Sequence, residues 1–386
     1  MNVAVVGASS SGLYTSILLK RKHPDWGVFV FDRNTRPGRK LCATGNGHCN
    51  VLNRDLSANY FNNVPFMETM VEKYPYSRLE ETLHSWGILT FSMGSLVYPL
   101  TYSATAYTTF LYNYAMSLGV VFQFSENVDS YEADKQITLY TETGKRKFDK
   151  VIFATGGKSQ KSLGSDGSMF DVFEQHGYHT TSLFPGLCPI KVSERVKPLS
   201  GLRHKAKVSA YANGNLIYEE TGEVLFKADG LSGIAIFNAQ RVISRLSGAP
   251  KVTIFLDLFP DYSVADLNKL FEIARKANPG MFLDAIMEKP WKQYLFGSFE
   301  IVDESELSSL AKRLKNLSFH YAGSYGFEFS QVTLGGVPLS DLDEHFAGKK
   351  EKNVIFVGET LDIDGKCGGY NLSWCLMSAL QVVEGL

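Results

Sequence analysis

A chain of 386 residues is long enough for roughly two or three domains with a sizeable core. With 44% hydrophobic and 20% charged residues and a formal net charge of -1, it has a globular composition and no electrostatic footprint for nucleic acid or an anionic membrane. No stretch approaches the ~20 apolar residues of a membrane span. The first strand consumes the N-terminus, so no secretory leader is expected, and five thinly spread cysteines predict a reduced, cytoplasmic protein.

Apolar Val3–Val6 predicts a buried parallel strand, Tyr14, Ile17 and Leu18 keep helical spacing, and Val28–Phe31 gives a second strand ending at Asp32. Between strand and helix stands Gly7-Ala8-Ser9-Ser10-Ser11-Gly12, which is G-x-S-x-x-G where a dinucleotide fingerprint has a middle glycine. Strand, glycine turn, helix, strand and acid together form the dinucleotide-binding βαβ unit. The first glycine makes the tight turn, the helix N-terminus faces the pyrophosphate, and the acid holds ribose hydroxyls. The Ser9 hydroxyl could itself bond a phosphate oxygen. The pattern does not separate FAD from NAD, and its plain alternative is a turn that only joins strand to helix. The basic run Lys20-Arg21-Lys22-His23 meets the negative end of the first helix dipole as a solvated face.

Residues 55–86 read as helical with a break at Pro75, Leu96–Leu100 as a strand, and Ser103–Leu118 as a helix. Gln136–Thr141 and Lys147–Phe153 flank a Thr143-Gly144 turn and predict a hairpin. Apolar Val151–Ala154 ends in Thr155-Gly156-Gly157, a second glycine turn at the carboxyl edge of the sheet, where ligands bind. Residues 186–257 are strand-rich. Residues 261–318 are helical, with apolar stripes at Leu267, Leu270, Phe271 and Ile273 and at Leu307, Leu310, Leu314 and Leu317. The tail returns to a buried strand, Asn353–Val357, then Gly358-Glu359, a loop from Thr360 to Tyr370, and a helix from Asn371 to about Val383. Gly368 and Gly369 allow backbone to approach a ligand, and that helix N-terminus would stabilise negative charge on a reduced flavin. The alternative is an ordinary helix capped by Asn371.

Three segments are unusually specific: Gly38-Arg39-Lys40-Leu41-Cys42-Ala43-Thr44-Gly45-Asn46-Gly47-His48-Cys49-Asn50; Gly222-Glu223-Val224-Leu225-Phe226 with Gly230-Leu231-Ser232-Gly233; and Gly358-Glu359-Thr360-Leu361-Asp362-Ile363-Asp364-Gly365 with Gly368-Gly369-Tyr370-Asn371-Leu372. With Tyr98-Pro99, Gly164-Ser165-Asp166-Gly167 and Thr333-Leu334-Gly335-Gly336-Val337, the chain resembles, over nearly its whole length, a family of bacterial FAD flavoproteins labelled NAD(P)/FAD-dependent oxidoreductases, which includes aminoacetone oxidase.

The resemblance implies an α/β protein whose Rossmann-like FAD-binding domain is built from both chain ends, residues 1–185 and 330–386. An inserted β-rich, substrate-side domain would occupy 186–260 plus about 319–329, and a small helical domain 261–318. Family FAD contacts fall on Gly7, Gly12, Asp32, Arg39, Lys40 and the backbone of Val128, and at the flavin end on Asp362, Asn371 and Leu372. Ser9, Ser11, Arg33, Asn46, Thr155 and Gly156 are expected beside them, as are Gly358, Glu359 and Gly369. Two departures stand out: Ser9 replaces glycine, and His48 stands where the family pattern has arginine.

Substrate-side candidates are His48, Tyr98 and Tyr370, each with a packing role as the alternative. Eight histidines without H-x-H or H-E-x-x-H predict no metal site. Cys42 and Cys49 form C-x6-C, which is expected to hold buried unreactive thiols rather than a redox pair. A second intact G-x-G-x-x-G is missing, so oxygen or a transiently docked NAD(P)H is the expected redox partner. The leading expectation is oxidation of a small primary amine or aminoketone, with oxygen as acceptor and hydrogen peroxide as product. The alternatives are an NAD(P)H-dependent reductase of an enone and a flavin-binding protein with an interaction or regulatory role.

Overall fold

The computed structural model describes residues 1–296 and 304–386, the latter without the side chains of 304–308. The chain divides into two compact units, Met1–Pro185 with Gln331–Leu386, and Gly186–Ser330.

The first unit is Rossmann-like. Its five-stranded parallel sheet runs Val354–Phe356, Lys150–Phe153, Asn2–Val6, Gly27–Asp32, Val121–Phe124. The central strand is registered with Val5 between Ile152 and Val30. Val3, Ala4 and Val5 are fully buried, which is what an unbroken apolar run must do when both sheet faces are covered. The helix Ser10–Lys22 packs against the C-terminal helix Tyr370–Glu384. Strand order reverses at Asn2–Val6, so the Gly7 turn opens where α/β sheets bind ligands, at the carboxyl edge beside the switch point.

Two small antiparallel sheets decorate this unit. One orders Leu52–Asn53, Leu96–Pro99 and Thr90–Met93; the other orders Val128–Ala133, Ile137–Thr141 and Gly144–Phe148. The expected strand Lys147–Phe153 is therefore divided. Gly144–Phe148 closes the hairpin, whereas Lys150–Phe153 enters the parallel sheet. Asp149 makes the break: its carboxylate accepts the Asn2 N–H at 2.7 Å and the Gln136 amide at 2.9 Å, and its own N–H donates to the Asn2 carbonyl. The predicted helical stretch resolves into Val64–Lys73, capped by the Asn63 side chain, and Tyr76–Ser85, with Pro75 at the break. Residues 55–63 hold only the short 3-10 turn Ala58–Tyr60.

The second unit is a closed antiparallel barrel ordered Ile190–Val192, Gly230–Ser232, Asn215–Lys227, Arg203–Ala212, Val252–Asp257, Leu317–Ser324. A helix, Ile234–Ile243, which the strand-rich reading did not anticipate, sits between two barrel strands. The helices Val264–Ala277, Phe282–Ile286, Lys289–Phe296 and Glu304–Leu314 share the barrel's apolar core through Leu267, Phe271, Trp291 and Leu310. Only one ridge of Val264–Ala277 is covered: Leu267 and Phe271, four apart, are buried, whereas Leu270 and Ile273 are exposed (46% and 64%). Leu310 and Leu314 are buried, Leu317 opens a barrel strand rather than closing a helix, and the Leu307 side chain lies outside the described residues.

Candidate active site

The site begins with the Gly7 turn. Gly7 has φ 110°, and a Cβ there would lie 2.3 Å from the Ala154 carbonyl oxygen. A Cβ on Gly12 would lie 1.8 Å from the Gly7 oxygen, so helix and strand approach closely only with glycine. Ser9 is the N-cap residue of Ser10–Lys22, with extended backbone, and its side chain caps no N–H. The Ser9 side chain leaves the first turn of this thirteen-residue helix uncapped; the Ser11 N–H meets the Cys375 sulfur, and the other first-turn amides suit a phosphate.

Asp32 closes the second strand. Its carboxylate accepts the Ala8 N–H at 2.7 Å, the Asn34 N–H at 2.8 Å and the Asn34 amide at 2.9 Å. Burial pushes this carboxyl above its ordinary value, and the same hydrogen bonds partly offset that. Arg39 donates to the Asn34 side chain at 3.0 Å. Arg33 pairs with Asp166 at 2.5 Å. Although burial opposes it, hydrogen bonds from Ser168 and the Arg33 guanidinium hold the Asp166 carboxyl below its usual value. Val128, buried, opens the hairpin sheet on this side of the unit.

A second network joins Lys40 to residues near the end of the chain. Lys40 pairs with Glu359 at 2.8 Å, and Glu359 also accepts the Thr333 N–H at 2.8 Å. The Thr333 hydroxyl oxygen accepts the N–H groups of Lys158 and Ser159. Gly156 N–H donates to the Thr360 hydroxyl at 3.1 Å, and the Thr155 and Thr360 hydroxyls lie 3.5 Å apart. Gly358 donates to Ser378, and its carbonyl accepts the Trp374 indole N–H at 3.0 Å. Asp362 accepts the Thr181 hydroxyl at 2.9 Å and the Asn62 amide.

The last helix begins at Tyr370, with Gly369 (φ 92°) as its N-cap residue and no side chain capping it. The reading of Asn371 as N-cap is corrected, because its amide is spent elsewhere: Oδ1 accepts the Gly365 N–H at 2.8 Å, and Nδ2 donates to the carbonyls of Gly365 and Lys366. What Asn371 and Leu372 offer a ligand is first-turn backbone N–H.

His48 and Tyr98 are brought together through Tyr102, a residue with no sequence signal of its own. The His48 ring stacks on Tyr102 (3.9 Å, 9°), and His48 Nδ1 lies 2.9 Å from the Tyr102 carbonyl oxygen. Tyr98 meets Tyr102 edge-on at 5.2 Å, and Phe91 completes the cluster at 5.6 Å from Tyr102. Burial raises the Tyr98 hydroxyl above its usual value, with Tyr102 and Cys367 nearby adding to it. Tyr370 lies apart, buried against Tyr60 (4.8 Å) and Phe61 (6.1 Å). Asn46, in a left-handed conformation (φ 54°), is exposed on the Thr44–Gly47 turn.

Among the described residues no group of three or more His, Cys, Asp or Glu is placed to hold a metal. His176 is instead bonded to Glu351 at 2.9 Å and to the Tyr131 carbonyl.

All five cysteines are free. Burial pushes the Cys49 thiol up to about 12 and those of Cys188 and Cys375 up to about 11, so at pH 8 they stay protonated and poorly nucleophilic. Brief iodoacetamide treatment of native protein at pH 8 should label half-exposed Cys42 and Cys367 and spare the other three, read by peptide mass spectrometry against a denatured control. Labelling of native Cys49 as fast as Cys42 would contradict this.

The profile of the HI0933-like protein Rossmann domain matches residues 1–384. The chain belongs to the HI0933-like Rossmann family. It is similar to a 3-dehydro-bile acid delta(4,6)-reductase of Clostridium scindens, 27% identical over 391 residues, covering 96% of this chain and 95% of that one. It is also similar to the ribosomal RNA dihydrouridine synthase of Escherichia coli, 25% identical, covering 99% and 97% of the two chains. Among solved structures, 3-ketosteroid delta1-dehydrogenase from Sterolibacterium denitrificans shares the fold, with a TM-score of 0.54 at 9% identity over 99% of this chain and 98% of that one. The protein is an FAD-dependent oxidoreductase, and FAD is its cofactor. The residues fit that group: an uncapped helix N-terminus behind a glycine turn, a carboxylate at the end of the second strand, and a second uncapped helix N-terminus at Gly369.

Sequence reasoning missed Asn34, Tyr102, the Asp166 partner of Arg33 and the Thr333 that bonds Glu359, whereas Lys40 and Glu359 were both expected at the site. Asp166 and Thr333 did lie in motifs that carried the family resemblance, and that was the signal available for them.

Proposed function

We propose that the protein reduces a carbon–carbon double bond conjugated to a ketone, in a flat and largely apolar substrate, with NAD(P)H as the transient electron source. The observation that carries this reading is the ring wall of His48, Tyr102, Tyr98 and Phe91. It offers aromatic surface to a planar molecule and two polar groups at its border. The names of the curated relatives support it. A delta(4,6)-reductase of a 3-dehydro bile acid and a dihydrouridine synthase both saturate a conjugated double bond. A small molecule suits this chain better than a polyanion: the net charge is -1, and basic side chains on the barrel strand Arg203–Ala212 are neutralised by glutamates, as in Arg203–Glu223 at 2.5 Å and Lys207–Glu219 at 2.9 Å.

Bound FAD supplies the hydride chemistry, and the chain supplies position and protons. Arg39, Asp32 and the first-turn amides of Ser10–Lys22 would hold the adenosine and phosphate half; Lys40 and Asp362 would line the other half. His48 Nδ1–H donates to the Tyr102 carbonyl, because a carbonyl can only accept, and this leaves Nε2 as the nitrogen that takes up a proton from solvent, in the imidazolium form, and passes it to the substrate. The Tyr98 hydroxyl, kept protonated by burial, donates to the substrate carbonyl oxygen. Together they polarise an enone and deliver its proton.

The test is anaerobic stopped-flow absorbance. NADPH should bleach the flavin, a 3-oxo-4-ene steroid should restore the colour, and mass spectrometry should find the product two hydrogens heavier. The amine reading keeps one favourable observation, the missing second dinucleotide fingerprint. If aminoacetone bleaches the flavin faster than either nicotinamide, and aerobic turnover yields peroxide without enone reduction, amine oxidation replaces this proposal. No turnover of either class would favour a binding or regulatory role.

A further inference from the structure

We infer that Asn50 is a cofactor-reading residue whose side-chain oxygen accepts the N3–H of the isoalloxazine ring. Asn50 Oδ1 is buried and has no hydrogen-bond partner. A buried amide oxygen left unpaired is costly, so its presence calls for a donor that the protein itself does not provide.

The position says which donor. The oxygen lies against the cap of the last helix: a Cβ on Gly369 would stand 2.8 Å from Asn50 Oδ1 and 2.7 Å from the Leu52 carbonyl oxygen. Glycine at 369 thus keeps the space between Asn50 and the helix start clear. Cys49, with a left-handed φ of 58° and its N–H bonded to the Thr44 carbonyl, directs Asn50 to this place just before the strand Leu52–Asn53. The neighbouring amides are spent. Asn371 is bonded to Gly365 and Lys366, and Asn53 donates to the Gly368 carbonyl at 2.8 Å while accepting the Asp55 N–H at 2.9 Å. Among these three asparagines Asn50 keeps an unspent acceptor.

An enone and a phosphate diester supply no N–H, and an amine substrate, which does, would not discriminate FAD from 3-methyl-FAD in the titration below. The oxidised isoalloxazine has one N–H, N3–H, set between the C2 and C4 carbonyls. An acceptor at Asn50 beside the first-turn N–H donors of Asn371 and Leu372 complements that acceptor–donor–acceptor edge. The inference rests on FAD as cofactor and is independent of the substrate reading.

The experiment titrates apoprotein with FAD and with 3-methyl-FAD, which lacks the N–H, following flavin fluorescence quenching. Wild-type protein should favour FAD by about five- to a hundredfold. Asn50→Ala should lose that preference by weakening FAD binding while leaving 3-methyl-FAD unchanged or tighter. Asn50→Asp keeps an acceptor but adds charge, so it should bind oxidised FAD more tightly than Asn50→Ala does and have a more negative flavin midpoint potential. Circular dichroism melting of each apoprotein checks that the variant folds. Unchanged FAD affinity in Asn50→Ala would overturn the inference, as would equal weakening of both flavins, the result expected if the amide merely donates to the Leu52 carbonyl.

Discussion

Replacing His48 with phenylalanine should slow enone turnover by about a hundredfold or more while leaving FAD bound. Phenylalanine preserves the ring that stacks on Tyr102 at 3.9 Å and removes both nitrogens, so packing is kept and the proton carrier is lost. A positioned general acid contributes on the order of 10²–10⁴ in rate. The measurement separates two half-reactions: bleaching by NADPH should proceed at the wild-type rate, and recolouring by the enone should be slowed. Equal slowing of both would point to a disturbed loop, because His48 also ties the Thr44–Gly47 turn to Tyr102. Tyr98→Phe in the same assay should give a smaller loss, since it removes one hydrogen bond to the substrate carbonyl and no proton carrier.

An Asp32→Ala protein should bind FAD roughly ten- to a hundredfold more weakly. The carboxylate accepts the Ala8 N–H and both Asn34 donors, so it sets the Gly7 turn, and on the proposed cofactor placement it would also hold the ribose hydroxyls. Losing one charged hydrogen-bond partner costs about 1.5–3 kcal/mol, which is roughly one to two decades in affinity. Asp32→Asn keeps an acceptor for Ala8 and should fall between the two. Equilibrium dialysis of FAD against each protein decides the matter, and an Asp32→Ala protein holding FAD as tightly as wild type would refute the role of this residue.

These two predictions probe the halves of the site that differ in how they are encoded. The adenosine half is written in a short span of chain. Strand, glycine turn, helix and acid lie within residues 2–32, and each element follows from local periodicity and from the sterics of Gly7 and Gly12. The same local logic located the tail strand and the C-terminal helix. It failed at Asp149, where a hydrogen bond to Asn2, 147 positions away, divides one expected strand into two. It failed again along Val264–Ala277, where periodicity shows an apolar stripe but not how much of it a neighbour covers.

The half proposed for flavin and substrate is assembled from pairings that no window of sequence contains. Lys40 meets Glu359 across 319 positions, and Tyr102 takes its place against His48 because a loop carries it there with a left-handed backbone (φ 48°). The sequence determined that the chain makes a dinucleotide-binding unit, because glycine turns and apolar runs act through near neighbours, and its long motifs carried the resemblance to FAD flavoproteins. Only the tertiary structure decided that the Asn371 amide is occupied while the Asn50 oxygen is unpaired, because hydrogen-bond satisfaction depends on which distant backbone groups the folded chain brings within about 3 Å.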